Sequence, residues 1–213
     1  MILISALICA QPAEDAGEHL RRGMELYRSL DLDEARAELE RAIELGLKPE
    51  EAVVAYRTLG LIFMADGLED KAEEVFVRLL KIKPDYDIGE VAPKVRRVFE
   101  RARLKADETP PAIEHRPPEK VEPGKPLRLT ARVTDNVGVQ RVVLRFKADG
   151  MREFEEVEMR PEEDLFSCEI PARRVVKGRL EYRIAATDLA GNEAEGRWEV
   201  KVGVGRSWLK IAG

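Results

Sequence analysis

Two stretches in the second half of the chain put ligand-bearing side chains close together: T-D-N-V-G at 134–138 and T-D-L-A-G-N-E-A-E at 187–195. Asp, Asn and backbone oxygens at such spacing are what a loop holding a hard cation offers. The supply is short, because calcium takes six to eight oxygens. The second stretch brings Asp188 and Asn192, with Glu193 and Glu195 beyond, and the first brings Asp135. An aspartate bonding the backbone ahead of a glycine that accepts positive φ explains both as strand-ending turns. The turn reading is preferred, so no metal or cofactor is expected, with Asp135, Asp188 and Asn192 as the alternative ligand set.

Other chemistry is sparse. There are two histidines, His19 and His115, and neither belongs to an H-x-x-x-H spacing that would bind zinc. No glycine-rich phosphate loop or G-x-S-x-G elbow occurs. The acidic runs E-F-E-E-V-E (153–158) and E-E-D (162–164) read as an alternating strand and a turn after Pro161, both solvated. With no nucleophile, base or metal set, a non-enzymatic protein is expected.

A length of 213 residues allows two domains of ordinary size. With 44% hydrophobic and 36% charged residues and a net charge of -5, the chain reads as soluble and folded, and nucleic acid is not an expected partner. The apolar run I-L-I-S-A-L-I-C-A (2–10) reads as the h-region of a secretion signal, with Ala10 before the cleavage point and Gln11 as the mature start. It lacks a basic leading segment, and the alternatives are a loose apolar tail or lipidation at Cys9. Export places the protein in the periplasm or cell envelope of a bacterium. Cys168, the second of two cysteines, lies in F-S-C-E-I on the same strand face as Phe166 and Ile170, as a small core residue would.

The first half repeats itself. Gly23 and Gly60, Ala35 and Ala72, Leu39 and Phe76 are pairs separated by one offset of 37 residues. Apolar spacing around each glycine is helical, so each repeat is two antiparallel helices with small residues at the crossing. Tyr56, Leu59, Gly60, Phe63, Ala72, Phe76 and Pro84 resemble the tetratricopeptide repeat. The earlier copy keeps Gly23, Ala35, Leu39 and Ala42 but has His19 and Arg22 at the aromatic and Leu positions. Residues 93–104 supply a capping helix with Val95, Val98, Phe99 and Ala102 inward. Its other face carries Lys94, Arg96, Arg97, Arg101, Arg103 and Lys105, a basic patch for an acidic partner or lipid head groups, or a solvated outer face.

The resemblance implies a concave groove lined by the first helix of each repeat. The groove positions are then Leu20, Met24, Tyr27 and Arg28 in one repeat and Arg57, Leu61 and Met64 in the next. They are mostly apolar, which suits a tolerant peptide groove and not a clamp for C-terminal carboxylates. Packing against a neighbouring helix is the alternative use of the same side chains.

Residues 107–126 form a Pro-rich linker that merges into a first edge strand near Ile113. From Leu127 the period is two, through Leu129, Val142, Leu144, Phe146, Phe166, Leu180, Tyr182, Ile184, Trp198 and Val200. About seven strands are expected, as a β-sandwich over 110–203. Y-R-I-A-A-T-D-L-A-G-N (182–192) resembles the sixth strand of fibronectin type III and bacterial immunoglobulin-like domains, which implies a corner hydrogen bond from Tyr182. Residues 204–213 read as a tail, with Trp208 beside Lys210 as near a membrane interface.

The expected architecture is therefore multi-domain: a possible signal segment (1–10), an all-α helical-repeat domain resembling the tetratricopeptide fold (11–106), and an all-β immunoglobulin-like sandwich. The expected function is a protein-interaction adaptor or scaffold of the cell envelope that binds a protein or peptide, with membrane contact through the N-terminal signal or the basic helix. Oligomeric state is left open. The alternative is a sandwich that binds carbohydrate or calcium at the cell surface, with the helical part used for assembly.

Overall fold

The computed structural model describes residues 15–203 and 208–210. The run 1–10, with Cys9, and tail residues 204–207 and 211–213 lie outside the described residues. The chain divides after Ala106 into a helical unit and a β unit, each with its own core.

Among the described residues of the first unit there are five helices: α1 (Ala16–Ser29), α2 (Leu32–Leu45), α3 (Pro49–Ala65), α4 (Glu69–Ile82) and α5 (Pro93–Ala106). Local signals set their ends. Asp15 accepts from the Gly17 amide at 3.1 Å ahead of α1, and Pro49 opens α3 where its missing N–H costs nothing. Gly67, at φ 76°, turns the chain from α3 into α4. The repeat offset has a steric cause. A Cβ on Gly60 would stand 2.2 Å from Phe76 Cε1, and one on Gly23 would stand 2.8 Å from Leu39 Cγ. Each glycine thus lets the first helix of a pair lie directly on a bulky residue of the second. Ala35, Leu39, Ala72, Phe76 and Leu79 are wholly buried at these crossings. Val98, Phe99 and Ala102 of α5 close the end of the stack, and Phe99 meets Phe76 edge to face at 5.3 Å.

The second unit is a β-sandwich-like pair of antiparallel sheets. One sheet has the order β1-β2-β6-β5, from β1 (Ala112–Glu114), β2 (Leu127–Thr134), β5 (Arg160–Glu162) and β6 (Leu165–Ile170). The other has the order β4-β3-β7-β8-β9, from β3 (Val139–Ala148), β4 (Glu155–Glu158), β7 (Gly178–Asp188), β8 (Glu193–Val202) and β9 (Trp208–Lys210). Along β2 and β7 every second side chain is buried, as the period of two requires. Leu129, Leu144, Phe146, Leu180, Tyr182 and Ile184 form the centre of the core.

Among the described residues nine strands stand where about seven were expected. The additional pairing lies at the edges: Arg160–Glu162 pairs with β6 although Pro161 reads as a turn, since an edge strand tolerates proline on its unpaired side. Residues 208–210, expected in a tail, pair with Trp198–Val200. Among the described residues no helix is long and apolar enough to cross a membrane.

Candidate binding surfaces

On α1, Leu20, Met24, Tyr27 and Arg28 share one face, as do Arg57, Leu61 and Met64 on α3. The two faces meet at Met24, whose sulfur lies 3.3 Å from Thr58 Oγ1, a hydroxyl also 2.9 Å from the Val54 carbonyl. Met64 is buried at 8% exposure. Met64 therefore serves helix packing. Met24 packs while staying half-buried, and with it Leu20, Tyr27, Arg28, Arg57 and Leu61, all half-buried, make up the accessible part of the surface. A separate cavity of about 340 Å³, bounded by Ile43, Tyr56, Leu59, Phe63 and Arg78, opens among α2, α3 and α4. Its walls combine Tyr56, Leu59 and Phe63, which the repeat pattern explains as core, with charged side chains such as Glu40, Lys71 and Arg78, and no sequence motif singles it out.

The basic face of α5 is largely engaged within its own unit. Lys94 pairs with Glu69 at 3.0 Å, and Arg101 Nε donates to Glu73 at 2.9 Å. Lys105 pairs with the same Glu73, a carboxylate only 5% exposed. Hydrogen bonding from Lys105, then from Arg101, outweighs burial and holds the Glu73 carboxyl below its ordinary range. Arg96 donates to the Gly89 carbonyl, and Arg103 donates to the Pro84 and Tyr86 carbonyls. Arg97 remains exposed on this face. The cations that looked like a patch for a partner mostly tie α5 to α4 and to the preceding loop.

In the β unit the two aspartate turns come together at one end. Asp135 Oδ1 accepts from the amides of Val137 and Gly138 at 2.8 and 2.9 Å, and Gly138 has φ 108°. Asp188 Oδ1 accepts from the Asn192 amide at 2.9 Å, and Gly191 has φ 94°. The Leu189 amide donates to the Gly138 carbonyl at 2.9 Å, joining the turns. Asp188 is fully buried. Burial raises its carboxyl, but donors from the Asn192 side chain and the 190–192 backbone outweigh it and bring the group below its ordinary range.

A third carboxylate, Asp107, joins them, and one ligand oxygen from each of Asp107, Asp135 and Asp188 lies within 4.8 Å of the others. Asn136 and Asn192 each donate to Asp107 at 2.9 Å. Sequence reasoning missed Asp107 because it sits in the Pro-rich connector, without periodicity or a turn motif of its own.

His115, from the same connector, is also structural. Its Nδ1 lies 2.6 Å from the Thr130 carbonyl and its Nε2 2.8 Å from the Tyr182 hydroxyl. A carbonyl only accepts, so Nδ1 carries the proton and Nε2 takes the hydrogen of Tyr182. Burial pushes the imidazole below its ordinary pKa against the opposing pull of Thr130, and burial raises the Tyr182 phenol. The corner bond implied for Tyr182 therefore goes to a side chain. The Trp198 ring packs edge to face on His115 at 4.8 Å and is 5% exposed, which keeps it from a flat sugar-stacking role. Burial likewise raises the Cys168 thiol to about 11, where the half-buried side chain packs against the sandwich core.

No protein-family model and no curated protein matches the chain. Among solved structures, the chain is similar to an engineered protein at 13% identity and a TM-score of 0.36, a likeness too slight to support an argument. The match covers 73% of this chain and 46% of that one, so the chain spans under half the length of the protein it matches.

Proposed function

We propose that the helical unit is a pair of tetratricopeptide-type repeats covered by α5, and that the β unit is an immunoglobulin-like or fibronectin type III-like sandwich. Together they act as a non-enzymatic adaptor in a bacterial cell envelope, with the α1 and α3 faces taking a protein or peptide and the sandwich serving as spacer or second docking surface. The observation that carries this reading is the recurrence, at one offset, of a glycine seated on a bulky residue, Gly23 on Leu39 and Gly60 on Phe76. Such recurrence is the mark of stacked helix pairs, whose exposed first helices present a shared surface to partners. Tyr27 and Leu61, apolar and half-buried on those helices, suit a tolerant groove.

The test uses the full chain with Tyr27→Ser and Leu61→Ser together, changes that leave the Gly60 and Phe76 crossing untouched. Affinity purification from an envelope extract of the source organism should recover a discrete protein with the parent. At matched helical content and melting temperature, the variant should recover it at least about tenfold less, the loss expected when anchors at the centre of an interface are removed. Equal recovery by parent and variant would overturn the groove.

A further inference from the structure

We propose that Asp107, Asp135 and Asp188 form a calcium site that clamps residues 107–109 to the β2–β3 and β7–β8 loops of the sandwich. Two ligands each about 2.3–2.6 Å from one ion stand at most about 5 Å apart, and the three carboxylates satisfy that limit. Proximity of acids alone would not make a site. The independent observation is Asp135 Oδ2, which exposes less than 1 Å² and has no hydrogen-bond partner. Its sister oxygen is already held by two turn amides, so Oδ2 is left as a buried acceptor that a bound cation would compensate. Among the described residues of the sandwich, no Lys or Arg pairs with any of the three carboxylates.

Further oxygens lie beside two of the three carboxylates, gathered around the Asn192 side chain. Asn192 Nδ2 lies 2.9 Å from Asp107 Oδ2, 2.9 Å from Asp188 Oδ2, 3.3 Å from the Asp107 carbonyl and 3.5 Å from the Thr109 carbonyl. An amide nitrogen has two hydrogens and cannot serve four acceptors, so these oxygens converge on one point beyond its capacity. Turning the amide over adds Asn192 Oδ1 to three carboxylates and two carbonyls. Six oxygens meet the lower end of what calcium takes, whereas magnesium demands a near-ideal octahedron and keeps several waters. Each loop supplies too little alone, and the fold sums them.

The test uses the full-length chain after chelator treatment, titrated with calcium chloride in a calorimeter and melted with calcium, with magnesium or with chelator. One equivalent of calcium should bind and raise the melting temperature, with magnesium at least about tenfold weaker given its stricter geometry. Asp107→Asn and, separately, Asp135→Asn should weaken binding at least about tenfold, since even outer-shell partners of bound metals are worth that much. In chelator both variants should melt at or above the parent, because each removes one of three crowded like charges; this outcome also shows that they fold. A parent that neither binds nor shifts with calcium up to about 10 mM, well above the range of weak extracellular modules, would overturn the site. A calcium response that survives in both variants would overturn it equally.

Discussion

At the scale of single residues, the two units depend on contacts with no tolerance for added atoms or charge. Gly60→Ala should gain about 1 kcal/mol of helix propensity and lose more to overpacking, which typically costs about 1–3 kcal/mol. The loss wins because Phe76 is fully buried and held edge to face by Phe99, so its ring has nowhere to swing. Thermal denaturation should show a lower melting temperature, and Gly60→Ala with Phe76→Leu should recover part of the drop, a coupling that a double-mutant cycle measures. His115 gives a pH signature. Its folded pKa lies below the ordinary 6.5, so below pH 6.5 the unfolded chain binds the extra proton more readily. The stabilisation from neutral His115 is therefore complete above pH 6.5 and is lost as pH falls from there toward the folded pKa. His115→Gln should flatten the slope of stability just below pH 6.5, well above the range in which the carboxyls of Glu73 and Asp188 titrate, and urea titrations at pH 7 and pH 5.5 would measure it.

At the scale of elements, α5 is anchored on α4 through Glu73, and the anchor is asymmetric. Removing Glu73 leaves Arg101 and Lys105, both well exposed, free to take up water, so Glu73→Gln should cost only about 1 kcal/mol. Removing both cations instead strands a carboxylate that is 5% exposed, and Arg101→Ala with Lys105→Ala should cost about 2–3 kcal/mol, less than the full penalty of a broken buried pair because water reaches one side. Urea unfolding followed by helical circular dichroism distinguishes the two, and equal losses would show that the cations and not the carboxylate carry the contact. The elements best legible in the sequence are those whose burial repeats: β2 and β7 alternate without a break, and the helix pairs repeat a small residue against a large one. The strand β4 was legible from the alternation in 153–158, whereas β5 was obscured because its side chains are all exposed, which leaves no apolar alternation. The basic stripe of α5 read correctly as composition yet gave no clue to its pairing, since Glu69 and Glu73 lie on another helix. The aspartate turns were legible as turns, but their meeting with Asp107 was not: Asn192 reaches Asp107 across 85 residues of chain, and no local pattern encodes that contact.

At the scale of the whole molecule, the two cores share no residue, and Phe76 and Phe99 serve one as Tyr182, Phe146 and Leu144 serve the other. Stability should therefore be distributed over two transitions, each answering to its own mutations. Leu144→Ala deletes a fully buried side chain from the sandwich and should cost about 2–5 kcal/mol there, while Gly60→Ala acts on the helical unit. Differential scanning calorimetry with circular dichroism at helical and sheet wavelengths would follow both. Leu144→Ala should lower the sheet transition and leave the helical one in place, and Gly60→Ala should do the reverse. If either substitution moves both transitions together, the units unfold as one body and the division at Ala106 is geometric only. The same experiment bears on the calcium site, because a cation held by Asp107, Asp135 and Asp188 lies wholly within the β unit and should raise the sheet transition alone. A calcium effect confined to the helical transition would place the bound ion among the acidic side chains of the first unit and remove the three-aspartate end from consideration.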